Sequence, residues 1–264
     1  MKFVKPKTYL VGYTQVNEDG LEKYLKDTNN EEFLEVFEHA KQEGIPGCLA
    51  LCSFYAKLCY ASLTLGHNKN ISKTRDIENN LKKGCIDSGH GSVLEHCQFN
   101  FVTTNCSRVF THELVRHRVG TAFSQTSGRY VRTDNIGFVL PPDLEIVRDK
   151  VQIAIENIEK SYKEISEAID VDNIPDMFTR KKVTSALRRI LPNGMSNEMG
   201  WSCNWRNIRH IIEMRTNEHA EWEIRYICNE AADILLNLSP LTLYKNSSLV
   251  EIKDNMTQYS KIRT

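Results

Sequence analysis

The sequence predicts an α+β fold, a single helix-rich domain with a small antiparallel or mixed sheet. Three observations lead there. Apolar residues recur at helical spacing through most of the chain, while one run, residues 98–104 (QFNFVTT), has the β-branched and aromatic character of a strand. Thirteen glycines and seven prolines among 264 residues are few, which favours helix. No repeat, low-complexity tract or long linker interrupts the chain, so residues 1–264 read as one domain.

The elements follow in order. Residues 20–42 are polar, broken by Leu21, Leu25, Phe33, Leu34 and Phe37, and read as two short helices around Thr28-Asn29-Asn30. Residues 46–65 are apolar nearly all round, as befits a helix in a core or subunit interface. Thr74 is placed to cap a helix ending near Gly84 or Gly89. In the following HGSVLEH, Ser92 and Glu95 have the spacing of a capping box. After the strand, Ser107 caps a helix running through Arg118, and Gly120 and Gly128 bracket a loop rich in hydroxyls and arginines. Beyond Pro141-Pro142, residues 143–168 place Leu144, Val147, Val151, Ala154, Ile155, Ile158 and Tyr162 on one helix face. Residues 176–191 form a further helix, halted by Pro192-Asn193-Gly194. Two more, 203–215 and 219–238, are divided by Thr216-Asn217-Glu218, and Pro240 ends the last.

Composition excludes several classes of function. Hydrophobic residues at 41% and charged residues at 26% are globular values. Thirty-four basic and 34 acidic side chains cancel, which argues against coating a nucleic acid or an anionic membrane. The N-terminal MKFVKPKTYLVG has no apolar h-region, and no window reaches the length of a membrane span. The eight cysteines stand in apolar or helical contexts without CxxC pairs, so they read as reduced, buried thiols of a cytoplasmic protein.

Three clusters can carry chemistry. The densest is Ser107 to Arg118 (SRVFTHELVRHR). His112 and His117 are five apart, roughly 140° around a helix, so they cannot share a metal as the histidines of HExxH do, and no metal site is expected. Glu113, Arg116 and His117 instead share one face. Residues 105–135 carry Arg108, Arg116, Arg118, Arg129 and Arg132 against only Glu113 and Asp134. Ser124, Thr126, Ser127 and the glycines lie between the arginines, a combination suited to phosphate. The second cluster is His90-Gly91-Ser92-Val93-Leu94-Glu95-His96. The third runs from Asn204 through Arg206, His210, Met214 and Arg215 to His219, with Arg206, His210 and Met214 on one helix face. Arg188 and Arg189, with Arg206, Arg209 and Arg215, form a second arginine set, and two sets imply more than one anionic ligand.

Together these clusters resemble the flavin-dependent thymidylate synthases. The resemblance rests on Arg116-His117-Arg118, a spacer and Ser127-Gly128-Arg129-Tyr130, with HGSVLEH before and NWRNIRHIIEMRTNEHAEWEIR after, in the same order. It covers roughly residues 46–240. The spacer, Val119 to Thr126, is eight residues where the family has seven. The resemblance implies a thymidylate synthase-complementing-protein-like fold assembled as a homotetramer with active sites shared between subunits. It implies FAD as cofactor and dUMP, methylenetetrahydrofolate and NADPH as substrates, for reductive methylation of dUMP to dTMP. By position, His90, Ser92, Glu95, Arg116, His117, Arg118, Asn204, Arg206, His210 and His219 match flavin-side residues. Glu113, Arg116, Gln125, Ser127, Gly128, Arg129, Arg188 and Arg215 match the dUMP site. No cysteine falls in the signature, so none is assigned as nucleophile. Arg215 is read as the cation that polarises the pyrimidine, and Ser127, the other residue placed at the reacting centre, as a phosphate holder rather than a nucleophile. The longer spacer leaves a dUMP hydroxymethylase of the same fold as an alternative. A nucleotide-binding protein without catalysis is the other.

Overall fold

The computed structural model describes residues 2–130, 137–246 and 248–263. At its centre is a four-stranded antiparallel sheet in the order β2-β3-β6-β4: β2 (Lys7–Tyr13), β3 (Gln98–Ser107), β6 (Ser196–Asn204) and β4 (Thr121–Gln125). A short parallel pair joins β1 (Lys2–Val4) to β5 (Gly137–Val139), and β7 (Leu249–Lys253) and β8 (Met256–Ser260) form an antiparallel hairpin. The α+β, helix-rich expectation holds.

The sheet has one apolar face because its long strands alternate. Phe99, Phe101 and Thr103 of β3 stand opposite Cys203, Trp201 and Met199 of β6, all buried. Phe101 and Trp201 stack at 4.4 Å, and the Trp201 indole donates to Thr103 Oγ1 at 3.0 Å. Helices α1 (Glu18–Asp27), α2 (Glu32–Gln42) and α3 (Gly47–Cys59) precede β3; α8 (Trp205–Arg215) and α9 (Trp222–Leu238) follow β6. Buried Leu25, Phe33, Leu49, Trp205, Ile208, Ile224 and Leu235 join these helices and the sheet in one core. Each such side chain contributes about 1.5–3 kcal/mol of burial energy.

Several local expectations are corrected. Asp76, not Thr74, caps α4 (Ile77–Asn79), which opens into a π-helical turn over Asn80–Ile86. The aspartate accepts the Asn79 amide at 2.7 Å. The segment with Ser92 is a 3-10 turn, Gly91–His96, with no side-chain cap, and Glu95 reaches across to Arg206 instead. Ser107 does cap α5 (Arg108–Leu114), but that helix ends four residues before Arg118. Arg116-His117-Arg118 therefore leave the helix, and the His117 carbonyl accepts the Thr121 hydroxyl. The expected loop between Gly120 and Gly128 contains β4, drawn into order by pairing with the edge of β6.

Residues 142–168 divide into a 3-10 turn, Pro142–Val147, and α6 (Arg148–Ala168); of the expected apolar face only Ile155 and Tyr162 are buried. The next helix, α7 (Met177–Leu187), ends in a 3-10 turn at Arg188–Ile190. Seven cysteines are buried and free, while Cys59 is exposed, contrary to expectation. Cys48, Cys52 and Cys97 converge in the core, where bonding to Cys48 and then Cys52 pushes the Cys97 thiol up. Among the described residues no group of His, Cys, Asp and Glu could hold a metal. No helix there is long and apolar enough to cross a membrane.

Candidate active site

The site is built around α5 and α8, each launched from the end of a central strand. Ser107 ends β3 and accepts the amides of Val109 (3.0 Å) and Phe110 (3.3 Å), which fixes where α5 starts. Its own amide donates to Glu223 Oε1 at 2.6 Å, and its hydroxyl donates to the other oxygen. Glu223, in the first turn of α9, is 3% exposed, and burial pushes its carboxyl up to about 7. Asn204 likewise ends β6 and caps α8, accepting the Asn207 amide at 2.8 Å.

At the far ends of these helices the side chains meet. Arg215 donates from Nε to His117 Nε2 at 2.8 Å and pairs with Glu113 Oε2 at 2.9 Å. A nitrogen that accepts from a guanidinium carries no proton, so His117 is neutral, with its proton on Nδ1. Electrostatics agree: burial, then Arg215, His210 and Arg116, push the imidazole down to about 4. His210 meets His117 edge-on at 6.0 Å and is also lowered, first by burial and then by Arg263. Four residues expected from the sequence, Glu113, His117, His210 and Arg215, thus form one half-buried cluster.

A second group lies around Gly128. Arg108, Gly128, Arg188, Arg189 and Asn193, with Leu191, Pro192 and Met195, line a cavity of about 230 Å³. No carboxylate lines it. A β-carbon at position 128 would stand 3.7 Å from Arg188 Cδ and 3.8 Å from Arg108 Nη2. The Arg108 guanidinium is pushed down by burial and by the charge of Arg188. Like charges held together without a counter-charge are an anion receptor. Ser127 accepts the Arg129 amide at 3.3 Å, a turn that presents this segment. Gln125 donates to Thr111 Oγ1 at 3.2 Å. Arg108 was in the basic segment but not among the expected ligand residues. Its position one past the strand end is what turns it toward Arg188, and spacing does not show that.

The third group joins the 91–96 turn to α8. Arg206 pairs with Glu95 at 2.7 Å, both about half exposed, so the pair orients more than it stabilises. His90 Nε2 lies 3.4 Å from the Tyr60 hydroxyl, and His96 stacks on Tyr55 at 3.8 Å. Neither tyrosine was singled out in the sequence. Asn207 Nδ2 is buried here without a partner among the described residues. Beside the exposed Arg206, this orphaned donor fits a polar cofactor such as a flavin dinucleotide.

The remaining expected residues are not drawn into these groups. Ser92, Arg116 and Arg118 are exposed, as are His219, in the turn before α9, and Arg129, whose guanidinium lies 5.9 Å from the Tyr130 ring. Arg132 and Asp134 lie outside the described residues. The extra residue of the spacer is expected near Gly120-Thr121, and Gly120 takes φ +66. The Asn204 amide sits where a β-carbon of residue 120 would be, 2.2 Å away, so only glycine fits.

Comparison with known proteins shows the family. A family described as "Thymidylate synthase complementing protein" matches residues 41–241. A flavin-dependent thymidylate synthase of Mycobacterium avium is 36% identical, covering 72% of this chain and 76% of the relative. One from Clostridium tetani is 30% identical over 73% and 79%, and one from Mycobacteroides abscessus is 35% identical over 72% and 76%. With a family match across most of its length and relatives of this similarity, the chain belongs to the thymidylate synthase complementing proteins, the enzymes named flavin-dependent thymidylate synthases.

Proposed function

We propose that the protein methylates dUMP reductively to dTMP, with methylenetetrahydrofolate as one-carbon donor and NADPH-reduced FAD as hydride source. The observation that carries this reading is the pairing of two unlike anion sites. One is the carboxylate-free cavity of Arg108, Arg188 and Gly128, sized for a monophosphate. The other is the α8 edge with Arg206, Asn207 and His210, to which the resemblance adds Arg116 and Arg118. The resemblance adds Ser127 and Arg129, which flank Gly128 in the chain, to the monophosphate side, with the Ser127 hydroxyl holding phosphate.

Bound flavin supplies the reducing equivalents. The chain's own groups position and polarise. Arg215, fixed by Glu113 and His117, is a preorganised cation for the charge that develops on the pyrimidine carbonyl. His117, kept neutral, accepts from Arg215 and so orients it without adding a charge of its own. His90, Ser92, Glu95, Asn204 and His219 complete the flavin side, and Gln125 the nucleotide side. The homotetramer with shared sites is carried over from the resemblance. A neutral chain without a candidate membrane-spanning helix among the described residues is consistent with a cytoplasmic enzyme.

The test is incubation of purified protein with dUMP, methylenetetrahydrofolate and NADPH, followed by mass spectrometry. A product heavier by CH2 supports methylation. One heavier by CH2O makes the protein a hydroxymethylase. Protein that takes up no FAD and gives no product is a nucleotide-binding protein only. Light scattering reads the assembly.

A further inference from the structure

The family match ends at residue 241, yet residues 242–246 and 248–263 continue into a tail that returns to α8. Arg209 and Glu213 of α8 and its C-cap Thr216, at i, i+4 and i+7, take hold of it. Arg209, fully buried, donates to the carbonyls of Thr242 (2.8 Å) and Tyr244 (2.6 Å), and to that of Ile262. Glu213 accepts the amides of Ile262 (2.7 Å) and Arg263 (2.9 Å). Thr216 accepts the Tyr259 amide at 3.0 Å. Ile262 itself is fully buried. This stripe adjoins the Arg206–His210 face of the same helix. Arg263 completes the arrangement by pairing its guanidinium with Glu213 at 2.5 Å.

We propose that residues 242–246 and 248–263 clamp α8, and that Arg263, by pairing with Glu213 one turn beyond His210, is the positioning residue through which the clamp sets the surroundings of that imidazole for its ligand. The inference rests on the proposed flavin-side role of His210. The groups facing that imidazole are Glu213 and Arg215 of its own helix, His117 from the end of α5, and Arg263 from the tail. Arg263 opposes protonation of His210, whereas Glu213 alone favours it. Arg263 also occupies Glu213 Oε1, so losing its guanidinium leaves that oxygen without its cation beside the imidazole, while the other still accepts the amides of Ile262 and Arg263.

Deleting the tail is a poor test, because Arg209 would be left buried without partners. The test uses the full chain with Arg263→Ala and Arg263→Lys. His210 protonation is followed in FAD-free protein by NMR of ¹³C-labelled histidine, assigned with His210→Gln. FAD binding is then measured by flavin fluorescence from pH 5 to 8. Arg263→Ala should raise the His210 protonation constant roughly threefold or more, and Arg263→Lys should restore it. FAD affinity of Arg263→Ala should fall on acidification and approach that of the parent at pH 8. An unchanged histidine titration overturns the proposal, as does an equal loss of FAD affinity at every pH. A shifted titration with FAD binding unaffected at all pH values keeps the clamp and refutes the flavin-side role of His210.

Discussion

Glu223→Gln isolates a buried carboxylate that anchors the start of α5. In the parent, both carboxylate oxygens accept from Ser107, one from the amide and one from the hydroxyl. Ser107 has no freedom to turn away, because its oxygen already accepts from Val109 and Phe110. A protonated carboxyl keeps acceptor capacity on both oxygens, but glutamine offers only one acceptor. The mismatch should cost about 1–3 kcal/mol at pH 5.

Ionisation acts the other way. Burial holds the folded carboxyl up at about 7, well above the ordinary glutamate value. Its stabilising contribution is therefore complete below the unfolded pKa and is lost as pH rises through the folded one. That interval corresponds to about 3 kcal/mol. The variant carries no such dependence. Urea denaturation midpoints for both proteins, at fixed concentration from pH 5 to 8, give the difference directly. The parent should be the more stable at pH 5, and the advantage should vanish or reverse by pH 8. A difference that stays constant across this range would refute the buried-carboxylate reasoning.

Four further outcomes are expected. Arg129→Ala should weaken dUMP binding by about 1.5–3 kcal/mol and FAD binding far less, because it removes a charge-assisted phosphate contact; calorimetry with each ligand checks the split. Arg108→Ala should raise the melting temperature of ligand-free protein by relieving repulsion from Arg188, while weakening dUMP binding. Gly120→Ala should destabilise by about 2–4 kcal/mol, combining left-handed backbone strain with displacement of the Asn204 cap; a midpoint like the parent's would contradict that packing. His117, lowered to about 4 in the fold, should make stability decline as pH falls from about 6.5 toward 4, and His117→Gln should flatten that decline.

Sequence alone determined the composition of the site and the helices that carry it. Arg-His-Arg, Ser-Gly-Arg-Tyr and the Asn204–Arg225 stretch are local in the chain, and helical spacing is a local property. The arginine-rich segments and the Ser107 cap were legible for that reason, but not how the arginines group: Arg108 and Arg188, from different segments, line one cavity, and Arg209 is buried against the tail. Strands other than β3 were not. β6 does alternate, with Met199, Trp201 and Cys203 inward, yet its serines, asparagines and glycine hid the pattern until β3 stood beside it. β4 has no apolar run at all and exists because β6 offers an edge.

Only the tertiary structure decided which charges meet. It brought Arg215 to His117 and Glu113 across about a hundred residues, set Arg108 against Arg188, and buried Glu223 under Ser107. It also sent the tail back to Arg209 and Glu213. Sequence fixes which residue types lie near one another along a helix or strand. Protonation states and ion pairs depend on burial and on partners distant in the chain, and those arise only when the elements pack.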